Sequence, residues 1–299
     1  MNEISSYIAF IAYSFAWRVT RALPKKQAYA LFASIAEYLH RKNGKPVQRL
    51  RLNYRRVRPE LSSDDLEALV KRGMASYLRY WCDTFRFPSW SPDQTMRTVI
   101  VEGESFLRDP LLAGRGVIVS LPHAGNWDHA GAYFCASGAP LVTVAEHLKP
   151  ERLFRKFLSY RQSIGMEVLD ADARSLATLA QRLRNNRLIA LVADRDLSSS
   201  GVEITFLGAP SKMPIGPALL SIQTKAPLIT AFVKYEVDGI RIIFEGEIPI
   251  PGEGDQSEKI RSMTQSCADR FGRHITAHTE DWHMLQRIWI DGDFVERSS

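Results

Sequence analysis

The sequence is sparing in the features that most quickly classify a protein. Its three cysteines, Cys82, Cys135 and Cys267, are odd in number and far apart in 299 residues. With no CxxC and no Cys/His zinc spacing, neither a disulfide framework nor a zinc module is indicated, and a reducing cytosol is the natural setting. All three cysteines read as small core residues. There are no internal repeats and no low-complexity tracts. Helix-turn-helix, zinc and RNA-binding motifs are missing as well, so nucleic acid is not an expected partner. Nor does any apolar run reach the roughly 20 residues that cross a bilayer. The best candidate, Ile4 to Val19, is interrupted by Ser5, Ser6 and Ser14. Nothing basic precedes it and no small-x-small site follows, so it does not read as a signal peptide.

What is present is an ordinary globular composition, 45% hydrophobic and 24% charged, with an uneven distribution of charge. The first 60 residues hold 12 Lys and Arg against three acids, a net of +9, which leaves −3 for the remaining 239 of a chain at +6. A basic region of this kind suits an anionic surface, phospholipid or nucleic acid. Tyr7, Phe10, Tyr13, Phe15 and Trp17 tilt the reading towards lipid. Ile4, Ile8, Ile11, Phe15 and Val19 recur at helical spacing, with Arg18 and Arg21 at the polar end. This helix either lies in the membrane interface or packs on the core, and in both cases the protein is peripheral.

Residues up to about Trp90 read as helical, notably Ser62–Arg86 after its Ser-Ser-Asp-Asp start. From Thr98 onward strands and helices alternate, the pattern of an α/β fold. Strands are expected at Val117–Leu121, Pro140–Glu146, Met166–Leu169, Leu188–Ala193, Leu228–Tyr235 and Ile240–Glu247. Helices are expected at Asp128–Ala136, Glu151–Ser163, Ser175–Arg184, Gly216–Lys225 and Gln256–His278. In the helix beginning at Glu151, Leu153, Phe154, Phe157 and Leu158 read as core. The connections suit crossovers, hence a mostly parallel central sheet flanked by helices, with the last two strands a hairpin turned at Asp238-Gly239. The expectation is one domain over 1–299: a helical, basic, membrane-proximal part to residue 90 and a catalytic core over 98–290.

Three expected strands run out into chemistry: Val117–Leu121 into His123, the next into Glu146, and Leu188–Ala193 into Asp194-Arg195-Asp196. If they are parallel, a histidine and several carboxylates gather at the sheet edge where α/β proteins bind ligands. A histidine with a carboxylate neighbour can take a proton from an alcohol near neutral pH. Two carboxylates are available. Asp128 lies five residues on, which on a continuous helix is a rotation of about 140°, so the Ala124-Gly125-Asn126 break must bend the chain if the two are to meet. Asn126 is placed to cap the next helix, and Asp128 then reads alternatively as a helix-start carboxylate. The second partner is Asp194. No GxSxG elbow and no nearby cysteine supplies a nucleophile, which favours direct attack by a bound alcohol with His123 as base. His123, Asp128, His129, Asp194, Asp196 and His283 are competent metal ligands, but without a compact HxH or HExxH pair no metal is expected.

His123-Ala124-Gly125-Asn126-Trp127-Asp128 matches the H-x4-D motif of glycerolipid and lipid A acyltransferases. With Ala75–Trp81, Thr143–Glu151, Ala193–Leu197 and Ala277–Gln286 in that order, the chain resembles the actinobacterial phosphatidylinositol mannoside acyltransferases, relatives of the lipid A lauroyl/myristoyl transferases. The resemblance runs from about Ala16 to Ile290. It implies transfer of a long acyl chain, palmitoyl preferred, from acyl-CoA to the 6-hydroxyl of the inositol-2-linked mannose. Acyl-CoA is then a substrate, no cofactor is needed, and the work is done at the cytosolic face of the plasma membrane. It further implies His123 as base, Asp194 where mycobacterial relatives carry a glutamate, and Glu146 and Arg161 facing the substrates. Arg195, Ser200 and Gln223 are implied as further substrate-binding positions, the last where relatives have glutamate. Two alternatives remain: the same fold acting on another glycolipid or a lysophospholipid, and a lipid-binding protein without turnover.

Overall fold

Four helices open the chain: α1 (Glu3–Ala22), α2 (Lys25–Lys42), α3 (Lys45–Val57) and α4 (Ser63–Arg86). The computed structural model describes residues 3–145, 151–172, 174–196 and 200–291, and of residues 3–10, 12 and 153 the backbone alone. The start of α4 is fixed by Ser62, whose hydroxyl accepts the Asp65 backbone N–H at 3.1 Å, one of the orphan donors of a helix N-terminus. Its Leu66, Leu69, Val70 and Met74 are buried at helical spacing, which is the stripe that packs on neighbouring helices.

After a short α5 (Pro92–Arg97) come β1 (Val99–Glu102), α6 (Ser105–Leu112), β2 (Val117–Leu121), α7 (Trp127–Ala136), β3 (Leu141–Ala145) and α8 (Glu151–Ser163). They are followed by β4 (Glu167–Asp170), α9 (Ser175–Arg184), β5 (Leu188–Val192), a hairpin of β6 (Val202–Phe206) and β7 (Ala209–Met213), α10 (Gly216–Thr224), β8 (Leu228–Glu236), β9 (Gly239–Glu245) and α11 (Gln256–Ala277). Seven strands form one sheet in the order β1-β9-β8-β2-β5-β3-β4. Five of its six neighbouring pairs are parallel, and β8–β9 is antiparallel. Successive side chains of a strand face opposite sides. Ile118, Val142, Ile189 and Leu228 accordingly join one core with the N-terminal helices, α10 and α11, while Val117, Val119, Leu188 and Ile229 join a second with α6 and α7. β2 is buried along its whole length.

The β8–β9 hairpin forms at Asp238-Gly239 as expected. Gly239 is required there: at φ 116° a Cβ would sit 1.9 Å from the Thr98 carbonyl oxygen. The sequence reading did not include β1, α5, α6 or the β6–β7 hairpin. β1 has four residues, too few for a period to show, and prolines inside α6 (Pro110) and β7 (Pro210) mask their patterns.

The two faces of α1 differ sharply. Trp17 is 5% exposed and its ring lies 5.0 Å from Phe85 of α4 and 5.6 Å from Phe157 of α8. Ile11 and Phe15 are 49% and 68% exposed. The helix therefore both packs on the core and presents apolar side chains outward. Among the described residues no helix is long and apolar enough to cross a membrane.

Candidate active site

The register of β2 against β5 pairs Leu121 with Val192, so His123 and Asp194 each stand two residues beyond a paired position at the same sheet edge. There His123 Nδ1 meets Asp194 Oδ1 at 2.5 Å. The other carboxylate oxygen accepts the His123 backbone N–H at 3.1 Å and the Trp282 indole N–H at 2.9 Å. Asp194 is fully buried. Burial raises a carboxyl, but the charge of His123 and the hydrogen bonds from His123 and Trp282 outweigh it and hold Asp194 below its ordinary range. A carboxylate on Nδ1 fixes the tautomer of the imidazole and leaves Nε2 as its working nitrogen.

The turn that carries His123 is pinned from two sides. Gly125 has φ 57°, and a Cβ there would lie 2.5 Å from the Val233 carbonyl oxygen, so glycine lets the turn close onto β8. On the other side the segment after α11 runs along it: Gly125 N–H donates to the Asp281 carbonyl and His283 N–H to the His123 carbonyl, both at 2.8 Å. That segment is in turn held by α3. Asn53 Nδ2 donates to the carbonyls of Met284 and Gln286 (2.7 and 2.9 Å), and the Tyr54 hydroxyl to that of Trp282 (2.9 Å).

Asp128 is engaged elsewhere. Asn126 caps α7 by accepting the His129 N–H at 2.9 Å, which sets Asp128 in the first turn with its carboxylate turned to α4 and α8. It accepts the Tyr80 hydroxyl at 2.9 Å and Arg161 Nε at 2.9 Å. The Trp127 ring, rather than Asp128, sits against His123, edge-on at 5.5 Å. Of the two carboxylates that the sequence left open, Asp194 holds the histidine, and Asp128 belongs to an ion pair. Arg161, which burial alone would weaken as a cation, is held protonated by Asp128.

His123, Trp127 and Arg161 line a cavity of about 960 Å³, large enough for an extended ligand. Its wall is otherwise mostly apolar, with Tyr77 and Trp81 from α4, and Phe154, Phe157 and Leu158 from α8. Phe154 is buried and Phe157 packs against the main core, as the sequence reading expects, and these α8 residues line the cavity as well. Arg195 also lines the cavity. Ser200 is exposed and lines a separate concavity of about 620 Å³ with Lys212 and Arg261. Gln223 is exposed on α10 and lines neither. Glu146 and Leu153, as a side chain, lie outside the described residues.

Among the described residues no group of three or more His, Cys, Asp or Glu is placed to hold a metal ion. His129, one of the candidate ligands, is buried with Nε2 3.0 Å from the Thr98 hydroxyl, and burial pushes it down to about 4. Trp282, Tyr80 and Ser76 were missed as site residues from the sequence, and His283 was considered only as a metal ligand. All four lie in Ala75–Trp81 or Ala277–Gln286, segments that carry the resemblance, and Glu280-Asp281-Trp282-His283 is dense in polar and aromatic residues.

A buried carboxylate thus stands behind a histidine that lines a mostly apolar cavity. Residues 2–290 match the family of bacterial lipid A biosynthesis acyltransferases. The chain belongs to that family and is an O-acyltransferase. It is 39% identical over 290 residues to the phosphatidylinositol mannoside acyltransferase of Mycolicibacterium smegmatis, covering 96% of this chain and 93% of that protein. It is 38% identical over 284 residues to the phosphatidylinositol mannoside acyltransferase of Mycobacterium tuberculosis, covering 93% and 88%. Among solved structures, the 1-acyl-sn-glycerophosphate acyltransferase PlsC of Thermotoga maritima aligns with a TM-score of 0.41 and 13% identity, over 85% of this chain and all of that one. A likeness so distant carries no argument.

Proposed function

We propose that this enzyme moves a long acyl chain, palmitoyl in preference, from acyl-CoA to the 6-hydroxyl of the inositol-2-linked mannose of phosphatidylinositol mannosides. The observation that carries the reading is the His123–Asp194 pair, whose histidine lines a mostly apolar cavity. His123 Nε2 takes the proton of the mannose hydroxyl as its oxygen attacks the thioester carbonyl. The tetrahedral intermediate then collapses, the C–S bond breaks, and the thiolate leaves with the proton returned by the imidazolium. Asp194 stabilises that imidazolium while it exists. No serine, threonine or cysteine side chain is hydrogen-bonded to His123 among the described residues, in keeping with direct attack.

The apolar wall suits the acyl chain, and the cations Arg161 and Arg195 suit phosphate or the polarised carbonyl. Glu146 is assigned to the acceptor sugar. Ser200 and Gln223, outside the cavity, are assigned to the nucleotide end of the donor. The protein works peripherally at the cytosolic face of the plasma membrane, with the outer face of α1 and the basic residues that follow it against anionic lipid. The test is incubation of pure protein with radiolabelled palmitoyl-CoA and separate glycolipids: phosphatidylinositol mannosides, a lipid A precursor and a lysophospholipid. Label in the mannoside alone is expected. Label in another lipid alone overturns the acceptor assignment, and label lost to a chelator overturns the metal-free mechanism.

A further inference from the structure

Behind His123 and Asp194 stands an indole that no ligand in the cavity touches. Trp282 is fully buried and forms no part of the cavity wall. Its ring packs edge-on against Phe206 of β6, centroids 5.9 Å apart. Its backbone forms an antiparallel bridge with Ala124, next to His123, and its carbonyl accepts the Tyr54 hydroxyl of α3 at 2.9 Å. On either side of it, Asp281 Oδ1 accepts the Ser76 hydroxyl at 2.7 Å and His283 Nε2 lies 2.9 Å from the same Ser76 oxygen, so α4 holds the segment too. A residue fixed in this way at ring and backbone has one side-chain polar group to place. That group, the indole N–H, donates to Asp194 Oδ2 at 2.9 Å.

The two oxygens of Asp194 are thereby given different work. Oδ2 takes the indole N–H and the His123 backbone N–H, while Oδ1 takes the imidazole Nδ1. The terminal torsion of an aspartate is broad and roughly two-fold, so a single donor does not fix the carboxylate plane. Two fixed donors on one oxygen do, and they leave the other oxygen facing the ring. An ionised carboxylate accepts and never donates, so a fixed Oδ1 calls for the proton on Nδ1 and keeps Nε2 bare. Of these donors, the backbone N–H and the imidazole belong to His123 itself and move with its turn. The indole alone reaches Asp194 from another segment.

We propose that Trp282 is a positioning residue for the transfer step, its indole N–H holding the Asp194 carboxylate in the orientation that keeps His123 in the tautomer with Nε2 free to take a proton. The proposal rests on the acyl-transfer reading above and adds the residue that sets the His123–Asp194 geometry. Two replacements separate this role from packing. Trp282→Phe removes the donor and part of the ring. Benzothienylalanine at position 282 puts sulfur in place of the indole N–H in a ring of nearly the same shape, and so removes the donor alone. The Asp194→Asn background supplies the second contrast. There the two fixed donors draw the amide oxygen to the place of Oδ2 and set the NH2 group against Nδ1, which favours the wrong tautomer. An indole that acts through Asp194 has little left to contribute in that background, whereas one that only packs costs the same in both.

The experiment pairs kinetics with nitrogen spectra. With palmitoyl-CoA and the mannoside, benzothienylalanine at 282 should lower kcat about tenfold or more, the loss of one hydrogen bond to a charged group, and leave both KM values within about twofold. Trp282→Phe should lose at least as much. In Asp194→Asn protein the benzothienylalanine replacement should change kcat by less than about threefold. Thermal unfolding shows that each variant folds, and the isosteric replacement carries the test if Trp282→Phe does not. In 15N-histidine wild-type protein, at a pH where the ring is neutral, the His123 signals (identified by their absence from His123→Ala) should show a protonated Nδ1 and a bare Nε2. With benzothienylalanine both signals should move towards the average of the two tautomers. The proposal is overturned by an unchanged kcat with benzothienylalanine, by an equal loss in the Asp194→Asn background, or by a His123 tautomer that the replacement does not move. A wild type that acylates no lipid would count against the acyl-transfer reading, and the spectra, which need no turnover, would then decide the positioning role alone.

Discussion

Two buried carboxylates flank the turn that carries His123, and their surroundings are opposite. Asp194 receives an imidazole, an indole N–H and a backbone N–H. With His123 in its neutral, base-competent form, none of these cancels its charge. Asp128 receives a guanidinium and a tyrosine hydroxyl, so its charge is matched before any substrate arrives. A carboxylate with uncancelled charge can stabilise an imidazolium as it forms; one clamped to arginine has little left to give. Adjacency within a motif thus says less about pairing than strand register does. His123 and Asp194, 71 residues apart, are partners because β2 and β5 are in register, while His123 and Asp128, five apart, are not.

The largest effect expected is from His123→Ala. Loss of the proposed general base should lower kcat by about two to four orders of magnitude, with the unfolding temperature nearly unchanged, since the ring is 24% exposed and its loss opens space onto a cavity. Acyl transfer retained at the wild-type rate would remove His123 from the mechanism. Asp194→Asn comes next, at about two orders of magnitude or more in kcat, because the imidazolium that forms during transfer loses its counter-charge. Asp194→Glu should recover much of the rate, since it restores that charge. A glutamate variant as poor as the asparagine one would mean that shape, rather than charge, is what matters at this position.

Asp128→Asn sharpens the contrast. It leaves Arg161 partly buried without its counter-ion and should cost about 3 kcal/mol of stability in denaturant titration. The fall in kcat should stay below about tenfold, since the base and its partner are untouched. Adding Arg161→Met should return much of the lost stability, because the stranded charge is gone, while raising the KM of whichever substrate Arg161 holds. Were Asp128 the partner of His123 after all, the single variant would show the reverse: a collapse of kcat at full stability.

Much of this was legible in the sequence. The strands ending at His123 and Asp194 announce themselves as β-branched runs that stop at polar residues, and their parallel arrangement follows from the lengths between them. Asn126 as a cap was readable from residue type. The choice between Asp128 and Asp194 was not, because it depends on side chains from α4 and α8 that compete for Asp128 across more than 30 residues of sequence. The network of Ser76, Asp281 and His283 was hidden for the same reason: its members come from two distant segments that meet only when α3 pins the end of the chain against the turn. The apolar residues of α8 have the same helical spacing whether they face a core or a cavity, and periodicity cannot tell these apart.

The smallest effect per residue belongs to the other half of the molecule, where charge is exposed instead of buried. Arg18, Arg21, Lys25 and Lys26 are all exposed, beside the outward-facing Ile11 and Phe15. Lys25 bonds Asp238 at 2.9 Å, with both side chains mostly in solvent, so that pair holds it only weakly. Reversing the four charges should weaken sedimentation with vesicles containing anionic lipid by about 1 kcal/mol per charge near the surface, and the effect should shrink as salt is added. Neutral vesicles should show almost none of it, because there the apolar side chains act alone. Activity on detergent-dispersed acceptor should be unchanged, since these residues lie outside the cavity wall. Binding to anionic vesicles that survives all four reversals would place the docking surface elsewhere and leave the outer face of α1 without a role.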